Sequence, residues 1–188
     1  MAINSTVFKV NLQIADMQRH YYAEHALTLS RHPSETDERM MVRLLAFALH
    51  AHEYLEFAQG MTDDESADIW QKDLTGIIEL WIDVGLPDEK LIRKACGRAK
   101  QVIVYCYGGR AAQMWYEQNT KEFARQNNLT IINIPQESTR AIAVMAQKNM
   151  QLQCNIQEDE VWLMDEKNTV TIQCEIYKAA SDKIISPF

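Results

Sequence analysis

The sequence predicts an α/β fold, a mixed β-sheet with flanking helices, and three observations carry that prediction. First, Ile77 to Val84 alternates with the period of a strand: Ile78, Leu80, Ile82 and Val84 are apolar, while Glu79 and Asp83 stand on either side of Trp81. Second, Gly85-Leu86-Pro87 breaks this strand, a helix starts near Asp88, and Gln101 to Tyr107 follows as an unbroken apolar run closed by Gly108-Gly109. Strand, helix and buried strand at that spacing imply a parallel pair with a right-handed crossover. Third, short alternating segments occupy both ends of the chain, so the sheet is expected to be parallel at its centre and extended by antiparallel strands from both termini.

Taken in order, Thr6 to Met17 and Tyr21 to Ser30 read as a hairpin turning near Gln18 to His20. Ser34, with Asp37 three residues on, marks a helix N-cap, and the helix runs to about His52 with Met41, Leu44, Leu45, Ala48 and Leu49 as its buried stripe and Arg39 and Arg43 off it. Tyr54 to Ala58 is a short strand candidate, Gly60 to Ala67 an acidic loop, and Asp68 to Lys72 carries no clear pattern. In the helix after the central strand, Leu91, Ile92, Ala95, Cys96 and Ala99 form one apolar line that leaves Lys90, Arg93, Lys94 and Arg98 elsewhere. Two helical pieces (110–118, with Ala111, Met114 and Trp115 packed, and 120–126), a strand at 129–134 and a helix at 136–148 follow. Three strands close the chain (150–157, 161–165 and 169–177), and 179–188 reads as a frayed tail.

The 188 residues are 47% hydrophobic and 24% charged, as expected of one domain spanning 1–188 that can bury a core. No run approaches a membrane span and the first residues lack a signal-peptide pattern, so the expected location is the cytoplasm. Cys96, Cys106, Cys154 and Cys174 show no CxxC spacing and sit in apolar patterns, which predicts buried free thiols. His50 and His52, two apart on a helix, cannot share a ligand face. A net charge of −7 argues against a general nucleic-acid coat. The charges are unevenly spread, however. Lys90, Arg93, Lys94, Arg98, Lys100 and Arg110 follow one another without an acid, which fits either a local basic face or ordinary solvated helix surfaces.

The chemistry-bearing set is acidic. Positions 38, 41, 45, 48 and 52 share a helix face, so Glu38 lies at the end of an apolar line, where a carboxylate needs a cation, donors or a metal; an ordinary first-turn acid is the alternative. Asp73 precedes the central strand, and Glu79 and Asp83 lie on its polar face. Two or three carboxylates converging on a hard cation, with a lysine nearby, is the arrangement that phosphodiester cleavage requires.

The spacing from Asp73 to Asp83, with Glu38 on a preceding helix, resembles the PD-(D/E)XK nuclease superfamily, in which a lysine stands two positions after the second acid. Here that position is Gly85. The segments HPSETDERMMVRLLAFALHA (32–51), ELWIDVGLPDEKLIRKAC (79–96) and YGGRAAQMW (107–115) are similar to the bacterial YaeQ family over nearly the whole chain. That resemblance implies a variant nuclease fold and a Mg²⁺-dependent nuclease or phosphodiesterase. In it Asp73 and Asp83 hold the metal, Glu38 (or Glu35) assists, and Lys94, or Lys90, migrates in for the missing lysine. Arg93, Arg98 and Arg110 would then contact nucleic acid. The alternative is a catalytically inactive relative that binds nucleic acid or a protein partner, with a link to transcription, and the glycine at 85 speaks for it. Trp81 is either a core aromatic or a base-stacking platform.

Overall fold

The computed structural model describes residues 5–58 and 66–181. The N-terminal hairpin forms as expected from β1 (Thr6–Asp16) and β2 (Tyr21–Arg31), with α1 (Asp37–Leu49) behind it. Then come β3 (Leu55–Phe57), β4 (Ile69–Lys72), β5 (Ile78–Val84), α2 (Glu89–Cys96) and β6 (Ala99–Cys106). The second half comprises α3 (Arg110–Ala124), β7 (Leu129–Asn133), α4 (Gln136–Ala143), β8 (Asn149–Gln157), β9 (Glu160–Met164), β10 (Thr169–Ile172) and β11 (Glu175–Lys178).

The strands make two mixed sheets instead of one. β5, β6 and β7 are parallel, and antiparallel β4, β3 and β11 complete a 6-stranded sheet of order β11-β7-β6-β5-β4-β3. The terminal strands do not extend that sheet. They form a 5-stranded one of order β10-β9-β8-β1-β2, because β1 pairs in parallel with β8. The segment expected as one last strand splits at Gln173-Cys174, sending β10 to the smaller sheet and β11 to the larger.

One core lies between the sheets. Leu12 and Leu152 from one sheet and Ile82 and Tyr105 from the other enclose α1, with Ile142 of α4 in the same cluster. Every residue of α1 from Met40 to Leu49 is buried, so the helix has no polar side, and Arg43, expected off the stripe, is only 4% exposed. A second cluster covers the other face of the larger sheet. Trp81, Val102 and Val104 meet Ile92 and Ala95 of α2 and Ala112 and Phe123 of α3. Because both faces of β5 are covered, Trp81 is a core residue, 4% exposed, with Trp70 edge-on to it at 6.1 Å.

Several local expectations shift. The cap of α1 is Thr36, whose hydroxyl accepts from Arg39 N–H, in place of Ser34, which instead bonds His32. The helix after the central strand starts near Asp88 as expected, with Asp88 as its cap. The pieces at 110–126 are one helix, with Ala112 buried, while Ala111 and Met114 face solvent. Within the tail, Ala180 and Ser181 are tied to Thr130 and Asn127 by backbone N–H groups, and 182–188 lies outside the described residues, as does most of the acidic loop at 60–67. All four cysteines are free thiols, and burial pushes Cys106, Cys154 and Cys174 up to about 12, so they stay protonated and inert. Among the described residues no helix is long and apolar enough to cross a membrane.

Candidate functional site

The C-terminal ends of parallel strands are where open α/β sheets place their ligands, since the helices that follow diverge there. On this protein the end of β5 is also where buried charge collects. Asp83 is partly buried on the α2 side of the strand. Its Oδ2 accepts from the indole N–H of Trp81 at 2.9 Å and its Oδ1 from the backbone N–H of Asp68 at 3.4 Å.

Asp68, just ahead of β4, holds the strand end in place. Its Oδ2 accepts from Val84 N–H at 2.8 Å, and both its oxygens accept from Arg39 Nη2 at 2.8 Å. Arg39 also donates to Val84 O at 3.3 Å and to Glu35 Oε1 at 3.0 Å. Glu35 is buried and accepts twice more from Arg43, at 2.7 and 2.9 Å. The result is one chain of alternating charge, Arg43–Glu35–Arg39–Asp68, that ends against Asp83.

Burial pushes the Asp83 carboxyl up to about 7. The Asp68 carboxylate adds to the rise, and the Trp81 and Asp68 N–H bonds and Arg39 only partly oppose it. Tyr107, at the end of β6, lies in the same field. Burial raises its phenol, Arg39 pulls it down, and Glu38, Glu35 and Asp68 push it up.

Asp73 does not join this group. It sits in the turn between β4 and β5, where its Oδ1 accepts from Thr75 N–H (2.8 Å), Thr75 Oγ1 (2.7 Å) and Ile77 N–H (2.9 Å). Those bonds, led by the Thr75 hydroxyl, hold its carboxyl below the usual range. It is bonded to Ile77, at the opposite end of β5 from Asp83, and so lies roughly 20 Å away along a strand rising about 3.3 Å per residue. One ion cannot bridge that gap. The spacing Asp73-Leu-Thr-Gly76 is a side-chain-closed turn, a signal present in the sequence. Glu79 is at that same far end, paired with Lys100 at 2.6 Å.

Glu38 is half-buried, and it accepts from Thr139 Oγ1 of α4 at 2.6 Å instead of meeting Asp73. The ten buried positions of α1 explain the misreading: with no polar face, its stripe cannot say which way an acid points. Among the described residues no three His, Cys, Asp or Glu side chains form a group able to hold a metal on their own.

The basic residues are spread along the layer outside the larger sheet. Arg110 opens α3 beside the end of β6, Arg93 and Lys94 lie exposed in the last turn of α2, and Arg98 lies beyond it, next to the start of β6. Since α2 runs back from the end of β5 to the start of β6, these four do not form one wall. Gly85 has φ +106°, a backbone that disfavours any side chain, so the position where the motif would have lysine is held as glycine by the turn itself. A groove lined by Asn11, Gln13, Gln151, Gln153 and Thr169 opens on the smaller sheet and involves none of these charges.

Residues 1–174 match the family model for the YaeQ protein. The chain belongs to the YaeQ family. It is 38% identical over 181 residues, 96% of its length and 100% of the relative's, to the Escherichia coli (strain K12) chain described as "Uncharacterized protein YaeQ". A Salmonella typhi chain of the same description is also 38% identical over 181 residues, with 96% of this chain and all of the relative covered. Among solved structures, the YaeQ protein from Xanthomonas axonopodis pv. citri superposes with a TM-score of 0.90 at 44% identity, covering 94% of this chain and 99% of that one. The one from Pseudomonas syringae gives 0.89 at 29% identity, covering 94% and 98%. The two-sheet α/β architecture is thus that of the YaeQ family. The family match contains Glu35, Arg39, Arg43, Asp68 and Asp83, and it ends at 174, between β10 and β11.

Proposed function

We propose that the protein is a Mg²⁺-assisted phosphodiesterase acting on nucleic acid, centred on Asp68 and Asp83 with Arg39 beside them. The reaction class comes from the nuclease resemblance in the sequence. The observation that carries the reading is Asp83 itself, a carboxyl kept protonated up to about pH 7 by enclosure and by a second acid. Two adjacent oxygen donors of like charge suit a hard divalent cation. Mg²⁺ is commonly held by one or two carboxylates, with water and substrate phosphate completing its shell. Such an ion would polarise a phosphoryl oxygen and acidify a bound water.

The chain's own residues have distinct parts in this reading. Asp83 releases its proton near neutrality and becomes an anionic ligand. Arg39 orients Asp68 and supplies the fixed positive charge expected of a lysine. The Tyr107 hydroxyl, in the same field, would donate to a phosphate oxygen. Lys94, with Arg93 and Arg110, offers charge to the flanking backbone of a substrate.

A second reading, a protein that binds nucleic acid or a protein partner without cleaving, has its own support. Both oxygens of Asp68 already accept from Arg39, in the place a cation would take. Mg²⁺ titration calorimetry at pH 6 and pH 8, with cleavage assays on single-stranded, duplex and branched DNA and RNA, separates the two. The first reading expects tighter Mg²⁺ binding at pH 8, cleavage abolished in Asp83→Asn and lowered in Lys94→Ala. Salt-sensitive oligonucleotide binding with no cleavage of any substrate decides for the second, and absence of Mg²⁺ binding sinks the first.

A further inference from the structure

The strand orders of the two sheets end on β10 and β2 in one and on β11 and β3 in the other. Three of these edges are short, with 3 residues in β3, 4 in β10 and 4 in β11. Short edges give a foreign strand little to pair with. β2 is different. It is 11 residues long, its ladder to β1 runs from Thr6↔Arg31 to Asp16↔Tyr21 without a register shift, and it contains neither proline nor lysine. Brevity, bulges, proline and lysine are the usual protections of an edge, and β2 has none of them.

Which backbone groups of β2 are open follows from the ladder on the far side of β1. Lys9 N–H donates to Lys148 O at 2.8 Å and Met17 N–H to Ile156 O at 2.9 Å, so the odd-numbered residues of β1 face β8. Its even-numbered residues therefore face β2, where their partners are odd-numbered, as in Val10↔Leu27. What remains are the amides and carbonyls of Tyr22, Glu24, Ala26, Thr28 and Ser30, and these point away from the sheet. The carbonyl of Ser30 accepts from Arg43 Nη2 at 3.1 Å, which agrees with that parity. The other four residues' backbone groups take no partner among the described residues, and all five side chains are exposed.

We propose that β2 pairs antiparallel with β2 of a second copy of this chain, about a two-fold axis through Ala26, joining two five-stranded sheets edge to edge. In this register Tyr22 lies opposite Ser30, Glu24 opposite Thr28 and Ala26 opposite its own counterpart. Outward-facing residues thus meet outward-facing residues, as the hydrogen-bonded pairs of an antiparallel ladder require, with the open backbone groups of Glu24, Ala26 and Thr28 at its centre and Ser30, whose carbonyl Arg43 already engages, at its end. A register centred on Glu24 would instead set two carboxylates directly opposite each other. On the inner face, Tyr21 and Leu27 are only partly buried against the core, and the second strand would cover their open side.

Sedimentation equilibrium of the full chain across a concentration series tests this. The expected result is a reversible species of twice the 21.7 kDa chain mass. Ala26→Asp and Ala26→Lys each place two like charges on the axis. Both are expected to be monomeric with an unchanged circular dichroism spectrum, since the fold uses neither the side chain nor the backbone groups of Ala26. Mixing the two variants in equal amounts should restore the dimer, because Asp then faces Lys. A wild-type chain that stays monomeric at its highest soluble concentration overturns the proposal. So does a dimer unaffected by either single variant, while two variants that remain monomeric when mixed overturn the register.

Discussion

Asp73 leads into β5 and Asp83 stands near its other end, and the fold treats the two in opposite ways. Asp73 meets three donors from its own turn, its carboxyl is held low, and its ionised form is at ease in water. Asp83 meets an indole, one long backbone bond and a second acid, and its carboxyl is pushed up to about 7. The difference arises from what crosses over from elsewhere. Among the described residues, Asp73 is acted on by its own turn and by Lys100, whereas Asp68, just ahead of β4, and Arg39 of α1 reach Asp83. An acid serves structure where local donors satisfy it, and it is available for chemistry where the tertiary fold leaves it short of them.

The sharpest way to break this contrast is to remove the cation at the buried end. Arg39→Ala leaves Glu35 without one of its two partners and Asp68 unneutralised against Asp83, and should destabilise the chain by about 3–5 kcal/mol in urea unfolding at neutral pH. Lys100→Ala, which strips the exposed ammonium from Glu79 at the other end, should change the midpoint very little. Equal losses would mean that the two ends are not different environments.

A smaller effect is expected from Asp83 itself, and its sign is fixed by linkage. Because the folded-state value is raised from 3.8 to about 7, the folded chain binds the extra proton between those pH values, and this group's contribution to stability falls as pH rises through that window. Asp83→Asn should flatten that slope and, above pH 7, be more stable than the native chain by on the order of 2 kcal/mol, allowing for partial exposure. A pH–stability curve identical in both proteins would show that Asp83 titrates normally.

The smallest effect is expected at Asp73. Its lowered carboxyl adds stability that is present above its ordinary range and lost on acidification, so Asp73→Ala should lower the melting temperature slightly at pH 7 and not at all in strong acid. Mg²⁺ binding by calorimetry should be unaffected. A loss as complete as in Asp83→Asn would put Asp73 back at the site.

The centre of the fold was legible because it is written locally. The alternation of Ile78 to Val84, the cap at Asp88 and the apolar run from Val102 to Cys106 each specify one element and its neighbour. The partition into two sheets was not, since it rests on β1 finding β8, and nothing at Gln173-Cys174 resembles a break. Of the site, Asp83 was readable from strand parity. Asp68 was not: it lies in Ser66-Ala-Asp-Ile69, where no period marks its direction, and only Arg39 and Val84 give it a role. Arg39 and Arg43 look like solvent-facing helix residues until Glu35 and Asp68 are placed beside them, which again is tertiary information.

The parallel pairing of β1 with β8 also sets a timetable for synthesis. Lys9 lies opposite Asn149, so the strand made first has to wait for one made 140 residues later. At about 5–20 residues per second, that interval is roughly 7–30 s during which the hairpin has left the ribosome with both long edges open. Hairpin formation takes only microseconds, so β1 and β2 are together long before their sheet exists. Five strands of the larger sheet, β3 to β7, are made within that gap and can pair there, with β11 added later. The nascent protein therefore exposes both edges of the hairpin through that interval, and the arrival of β8 closes the β1 edge alone.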